Sequence, residues 1–375
     1  MIIKNARVYK SSFHFEQGEV YIEDSLIKKS TSDNEVLDAD GLMVVPGFID
    51  IHLHGANKAD FMDGCYESLD AITSYEASKG ITSISPASMT MDKSALEKAF
   101  ISAKDFNSKK HNASIEGIYM EGPFISKDKI GAQNPKYLKN PDVEFFDDLY
   151  QASGSLIKVV VLAPEVSGGI DFIKAVKDRV KVSIGHTNTD YETAKNAFIR
   201  GASELTHTFN AMPPINHRNP GPIVAALDNG KVMAELIADG IHIDKAIINL
   251  AFRLFTKDNL VLISDSMMAT GLDDGIYALG GQKVNVKGKR ATLDDGTLAG
   301  SVTNLYDCFV NVVKNAGIKI EDAVKACTYN PACVLNIVNK VGSIESGKRA
   351  DLLLIDDDLN LKGVILRGEV LFFNR

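Results

Sequence analysis

The residues with the most chemical potential in this chain are imidazoles and acids set just beyond apolar runs: His52 and His54 in IDIHLHG, Glu121 in YMEGPF, His186 in SIGHT, His207 in THTFNAM and Asp265 in LISDSM. Alternate residues of a strand point to one side, so His52 and His54 face the same way and could share a cation. Taken singly, each position has an ordinary reading: a chance HxH, a surface or capping acid, a hydrogen-bonded core histidine, an N-cap aspartate. Taken together they place nitrogen and oxygen donors at one end of a series of strands, a donor set that suits Zn²⁺ or Fe²⁺. Three protein ligands leave a position open for water, whose pKa falls toward about 7 on such an ion. An acid beside that water can take its proton and pass it to a leaving nitrogen, and Asp265 is assigned that part.

Donors spread over two hundred residues converge only if regular elements carry them to one place. Between the chain ends, strand-sized apolar runs alternate with segments of helical period, the sequence form of a repeated parallel α/β unit. Eight such runs can be counted: Val44 to His54, ITSISPAS, SIEGIYME, IKVVVLAPE, VKVSIGHT, SELTHTFNA, VMAELIADG and LVLISDS. Segments such as SALEKAFISAKDF supply helices between them. Eight repeats fit a (β/α)8 barrel better than an open doubly wound sheet, and the sequence holds neither GxGxxG nor GxxxxGK[ST]. Active sites of such barrels are built at the C-terminal ends of the strands, where these donors fall. The expected fold is therefore α/β. A (β/α)8 TIM-type barrel covers residues 45–344, with a β-hairpin insertion near 275–298. A small β-sandwich domain forms from residues 1–44 and 345–375, where IIKNARVYK, EVYIEDSLIKK, ADLLLIDDD and GVILRGEVLFF read as short strands.

Composition narrows the partners. With 375 residues and a 45% hydrophobic share the chain can build a substantial core. A formal charge of −8 and the lack of a dense basic cluster remove any electrostatic basis for capturing nucleic acid or an anionic membrane. No apolar stretch approaches the roughly 20 residues that span a bilayer, and MIIKNARVYK lacks the apolar centre of a signal peptide, so a soluble cytoplasmic protein is expected. Cys65, Cys308, Cys327 and Cys333, without a CxxC, are read as buried free thiols.

The motifs PGFIDIHLHG, EGPF, GHT, THTFNAM, DGIH, LAGS, NPA and GSIESGKRADLLLID together resemble the amidohydrolase superfamily, and within it the N-acetylglucosamine-6-phosphate deacetylases. The resemblance runs from Pro46 through Asp356. It implies Glu121, His186 and His207 as principal metal ligands, Asp265 as catalytic acid/base, and His52 with His54 as holders of a second ion, so one or two Zn²⁺ or Fe²⁺ per subunit. It also implies hydrolysis of the acetamido group of an N-acetylglucosamine 6-phosphate, in amino-sugar catabolism or cell-wall recycling. Asn210 and Ala211 would meet the sugar, while Arg218 and His242 would hold the phosphate, one of them from the neighbouring subunit of a homodimer. One departure stands out: where many members read GAH or GTH, this chain reads Gly131-Ala132-Gln133. Ala132 and Gln133 are kept as substrate contacts, since an amide N–H can still donate to an oxyanion although it cannot become cationic. His217 has no assigned role, and His14 and His111 are read as structural or surface residues. The competing readings are the galactosamine epimer as substrate, an amidohydrolase for cyclic amides or N-acyl amino acids, and a metal-free barrel scaffold.

Overall fold

The computed structural model describes residues 1–374. Six parallel strands form a continuous sheet in the order Ile118–Met120, Ile157–Leu162, Lys181–Ile184, Glu204–Leu205, Met233–Ile237 and Leu260–Ile263. A second parallel sheet holds Phe48–Leu53, Ile81–Pro86 and Ser114–Ile115. Hydrogen bonds join the two sheets at two places. At one, the Ser88 N–H donates to the Tyr119 carbonyl at 2.9 Å; at the other, the Asp265 N–H donates to the His52 carbonyl at 2.9 Å and the His54 N–H to the Ser266 carbonyl at 2.7 Å. The parallel strands thus curl, and helices such as Lys93–Asp105, Tyr191–Arg200 and Lys245–Leu254 lie between them in the chain.

The period-two geometry of a strand sorts its side chains onto two faces. Val159 and Val161 join Ile49, Ile51, Ile237, Val261 and Ile263 in one apolar cluster, whereas Val160 and Leu162 join Ile84, Met120, Ile184 and Leu262 in the larger cluster with the helices. Both faces are apolar, which is why VVVL at the end of Ile157–Leu162 reads as an unbroken run and not as an alternating one. Helix starts are set by acids and an amide: Asp92, Asp142, Asp190 and Asn304 accept from the N–H of Ala95, Phe145, Thr193 and Asp307. Such a cap contributes about 1 kcal/mol.

The run from Val44 to His54 is two strands, where the sequence suggests one. Met43–Pro46 pairs with Leu352–Ile355 and with Ile2–Tyr9, while Phe48–Leu53 pairs with Ile81–Pro86. The switch occurs at Gly47, whose N–H donates to the Asp351 carbonyl at 2.8 Å and where a Cβ would lie 2.2 Å from Thr82 Oγ1. Hydropathy is continuous across this point because both sheets bury their strands, so it carries no mark of the change.

Both chain ends contribute to one eight-stranded sheet. Its order is Glu369–Phe373, Leu361–Leu366, Leu352–Ile355, Met43–Pro46, Ile2–Tyr9, Phe15–Glu23 and Leu26–Lys28, with Val36–Asp38 also on Ile2–Tyr9. Ile3, Val8, Val20, Ile22, Leu352, Leu354 and Ile365 form a separate apolar cluster there. The insertion expected as a hairpin is a three-stranded antiparallel sheet of Gly275–Leu279, Gln282–Lys287 and Arg290–Thr292. Cys308 and Cys327 are buried free thiols as expected, but Cys65 and Cys333 are only half-buried. Among the described residues no helix is long and apolar enough to cross a membrane.

Candidate functional site

The polar residues singled out above leave their strands just where the apolar runs stop. His52 and His54 occupy the end of Phe48–Leu53; Glu121 follows Ile118–Met120; His186, His207 and Asp265 each lie two residues past a strand. The last three adopt positive φ, at 45°, 28° and 49°. That backbone region costs a non-glycine residue on the order of 1–3 kcal/mol. The cost is met by what surrounds these residues, and it turns three side chains toward one point.

Two groups of potential ligands result, His52 with His54 and Asp265, and Glu121 with His186 and His207, all six buried and with the donor atoms of each group within 4.8 Å of one another. Glu121 lies between them. Its Oε1 is 3.2 Å from His186 Nε2, 3.1 Å from His207 Nε2 and 3.5 Å from His52 Nε2, while its Oε2 is 3.4 Å from His54 Nε2. Asp265 Oδ1 lies 3.2 Å from His54 Nε2.

The far side of each ring decides which lone pairs face inward. Nδ1 of His52 meets Glu235 Oε2 at 3.1 Å, Nδ1 of His54 meets the Ala87 carbonyl at 3.1 Å, and Nδ1 of His186 meets the Lys129 carbonyl at 2.9 Å. Two of these partners are carbonyls and the third a carboxylate, so each Nδ1 is placed to donate, and a ring that carries no second proton turns a bare Nε2 into the site. His186 Nε2 and His207 Nε2 are 3.1 Å apart beside a carboxylate oxygen. Lone pairs so close repel unless a cation or a proton sits among them, and this donor set fits a divalent metal. Without a cation, protons take its place. Burial opposes the charge of His52, but Glu121 and Glu235 outweigh it and raise the imidazole to about 10. Burial likewise opposes ionisation of Glu121 and Asp265, yet the surrounding imidazoles hold both carboxyls below their ordinary range.

Above this floor is a cavity of about 450 Å³, lined by His54, Glu121, His186, His207 and Asp265 together with Ala132, Gln133, Asn210, Ala211 and His242. The insertion adds Leu279 and the segment carrying Asp295, Thr297 and Leu298. His52 lies beneath, with no exposure, stacked on Tyr119 at 4.3 Å. Gln133 sits differently from a free substrate contact. Its Nε2 donates to Glu121 Oε2 at 2.6 Å and its Oε1 accepts the Thr90 N–H at 2.6 Å, leaving a second N–H beside Met89 Sδ at 3.7 Å. His242 is set by Asp239, which receives its Nδ1–H at 2.9 Å and the backbone N–H groups of Ile241 and His242. Burial disfavours the His242 cation, but the hydrogen bond and charge of Asp239 prevail and raise its pKa.

Arg218 is not brought to this cavity. It is exposed in a loop with His217 and Asn219, its N–H bonded to Asn216 Oδ1 at 2.9 Å. His14 and His111 are exposed, outside any helix or strand. Sequence reasoning missed Glu235, which bonds His52 from behind, and the Asp295–Leu298 segment. The available signal for Glu235 was an acid inside an otherwise apolar run, MAELI.

The amidohydrolase family profile matches residues 43–371. N-acetylglucosamine-6-phosphate deacetylase of Bacillus subtilis (strain 168) is 35% identical over 387 residues, covering 100% of this chain and 98% of its own. N-acetylgalactosamine-6-phosphate deacetylase of Escherichia coli O157:H7 is 31% identical over 340 residues, with 90% of each chain covered. Among solved structures, an aspartate-to-alanine variant of the Mycobacterium smegmatis N-acetyl-D-glucosamine-6-phosphate deacetylase, in complex with N-acetyl-D-glucosamine-6-phosphate, superposes with a TM-score of 0.91 at 28% identity over 99% of both chains.

Proposed function

This chain belongs to the amidohydrolase family, and on that premise we propose that it hydrolyses the acetamido group of N-acetyl-D-glucosamine 6-phosphate to D-glucosamine 6-phosphate and acetate. The observation that carries this reading is the meeting of two ligand groups on Glu121 at the floor of a cavity whose wall holds the protonatable His242. A divalent cation bound there would polarise an amide carbonyl and make a water easier to deprotonate. Glu121, His186 and His207 would hold one ion, Zn²⁺ or Fe²⁺, and His52 with His54 a second. Asp265 accepts a proton from the attacking water as its oxygen bonds to the acetyl carbon, then delivers that proton to nitrogen as the C–N bond breaks. His242, oriented by Asp239, meets the phosphate, and Asn210, Ala211 and Ala132 meet the sugar. Gln133 has one N–H committed to Glu121, so its contact with an oxyanion would use the other.

Arg218 joins the phosphate from the partner of a homodimer, a reading supported by its exposure here and by the apolar stripe of Ile247, Leu250 and Leu254 on Lys245–Leu254, which follows His242 closely in the chain. A cytoplasmic site of action belongs to the same reading. So does closure of the curled sheet into a (β/α)8 barrel over 45–344, supported by the hydrogen bonds that join the two sheets, with residues 1–44 and 345–375 as a small β-sandwich.

The test is acetate release from N-acetylglucosamine 6-phosphate by purified protein, with and without a chelator and with Zn²⁺ or Fe²⁺ restored. The unphosphorylated sugar and the galactosamine epimer run beside it. Metal-dependent release limited to the phosphorylated glucosamine sugar is expected. Faster turnover of the galactosamine epimer would move the assignment to the activity named for the Escherichia coli relative.

A further inference from the structure

Glu235 neither lines the cavity nor belongs to either ligand group, yet one oxygen of its carboxylate touches a member of each. Oε2 receives the Nδ1–H of His52 at 3.1 Å and the backbone N–H of His207 at 2.9 Å. The side chain is fully buried on Met233–Ile237, and its Oε1 has no hydrogen-bond partner among the described residues. An ionised carboxylate in such a place is expensive to desolvate, and two N–H bonds to a single oxygen recover part of that cost.

The two bonds do separate things. The first fixes the His52 ring with its proton on Nδ1, and a charged acceptor behind an imidazole makes the opposite nitrogen a better ligand. The second grips the backbone at the residue where φ turns to 28°, so that the His207 ring arrives 3.1 Å from Glu121 Oε1. We propose that Glu235 is the positioning residue of both ligand groups, holding His52 by its side chain and His207 by its backbone, so that its loss loosens both ions at once. The inference rests on the divalent-metal reading above and not on the identity of the substrate.

The experiment uses the full chain, stripped of metal by dialysis against a chelator and titrated with Zn²⁺ in competition with a chromophoric chelator. It reads the number and affinity of ions per subunit in the wild type, Glu235→Gln and Glu235→Leu. Glutamine keeps a carbonyl acceptor and loses the charge; leucine loses both. For Glu235→Leu, about 10–100-fold weaker binding is expected at each ion the wild type takes up, with the loss greater for the ion on His52. Glu235→Gln should fall between leucine and wild type, and kcat should drop while KM changes little. Wild-type affinities in both variants overturn the proposal, and so does a lowered melting temperature with unchanged affinities, which is a packing role. Should Glu235→Leu fail to fold, the isosteric glutamine variant decides. A wild type that binds zinc and releases no acetate defeats the substrate reading, while the titration still judges Glu235.

Discussion

Replacing Asp265 with asparagine isolates one property of the site. The residue sits at φ 49°, a region asparagine adopts readily, and it is buried, so an amide of the same size keeps the backbone and the packing. The amide oxygen can still face His54 Nε2 across the present 3.2 Å. What disappears is the capacity to accept a proton and give it back. Burial works against ionisation of Asp265, but the hydrogen bond from His54 and the charge of His52 hold its carboxyl below the ordinary value, so it is a carboxylate at neutral pH and ready to accept. Positioned proton transfer contributes about 10²–10⁴-fold. The same carboxylate serves both the attack and the departure, which puts the expected loss in kcat near 10⁴-fold, or roughly 5.5 kcal/mol of barrier. KM should change little, because the phosphate is held elsewhere. The assay is acetate release at saturating sugar phosphate, with metal content measured on the same samples because Asp265 is also within reach of a bound ion. A variant with full metal content and a tenth or more of wild-type kcat refutes the acid/base assignment. A variant that loses metal and recovers turnover in excess ion makes Asp265 a ligand instead.

Three further outcomes follow from the same geometry. Arg218→Ala should raise KM for the phosphorylated sugar at least about tenfold with kcat nearly unchanged, since the guanidinium is far from the acetamide in this reading; an unchanged KM removes it from the phosphate site. Metal uptake should depend on pH: with His52 raised to about 10 in the metal-free protein, an ion must displace a proton, so apparent affinity should climb by up to about tenfold per pH unit between about 6 and 8. Competition titrations check this, and flat affinity contradicts it. Asp50→Asn bears on stability. Burial pushes the Asp50 carboxyl from 3.8 up to about 7, so the folded chain holds a proton that the unfolded chain releases, and this group's contribution falls as pH rises across that interval. Thermal melts of the metal-free proteins should show the asparagine variant gaining on wild type between about pH 4 and pH 7; parallel curves would refute the shift.

The donors were legible in the sequence because each is a polar residue at the point where an apolar run ends, and the fold puts those points on one rim. Loops begin there, so the transition from hydrophobic to ionisable is written locally. The groups that aim the donors are not written that way. Glu235 is 183 positions from His52, and only the pairing of Glu204–Leu205 with Met233–Ile237 and the curl of the sheet bring them into contact. The bond from Gln133 to Glu121 was hidden for another reason: the motif places Gln133 near the substrate, and nothing in its spacing says which of its neighbours the amide will serve.

One local sign does survive, which is an acid inside a strand whose neighbours are all apolar. Asp50 in FIDIHL receives the N–H of His52 at 3.2 Å and of Ser264 at 3.4 Å, tying the strand that bears the histidine pair to the one that leads to Asp265. Glu235 in MAELI ties His52 to His207. Burying a carboxyl group in a sheet is costly, and in both cases one of its oxygens takes N–H groups that the curl of the sheet leaves facing it. Glu204 keeps this from being a rule. It too interrupts a buried strand, yet neither of its oxygens has a hydrogen-bond partner among the described residues, and burial with the nearby charge of Glu235 raises its pKa well above the ordinary carboxyl value. Glu235 differs in that its Oε2 meets two N–H groups, and those two bonds are what tie His52 to His207.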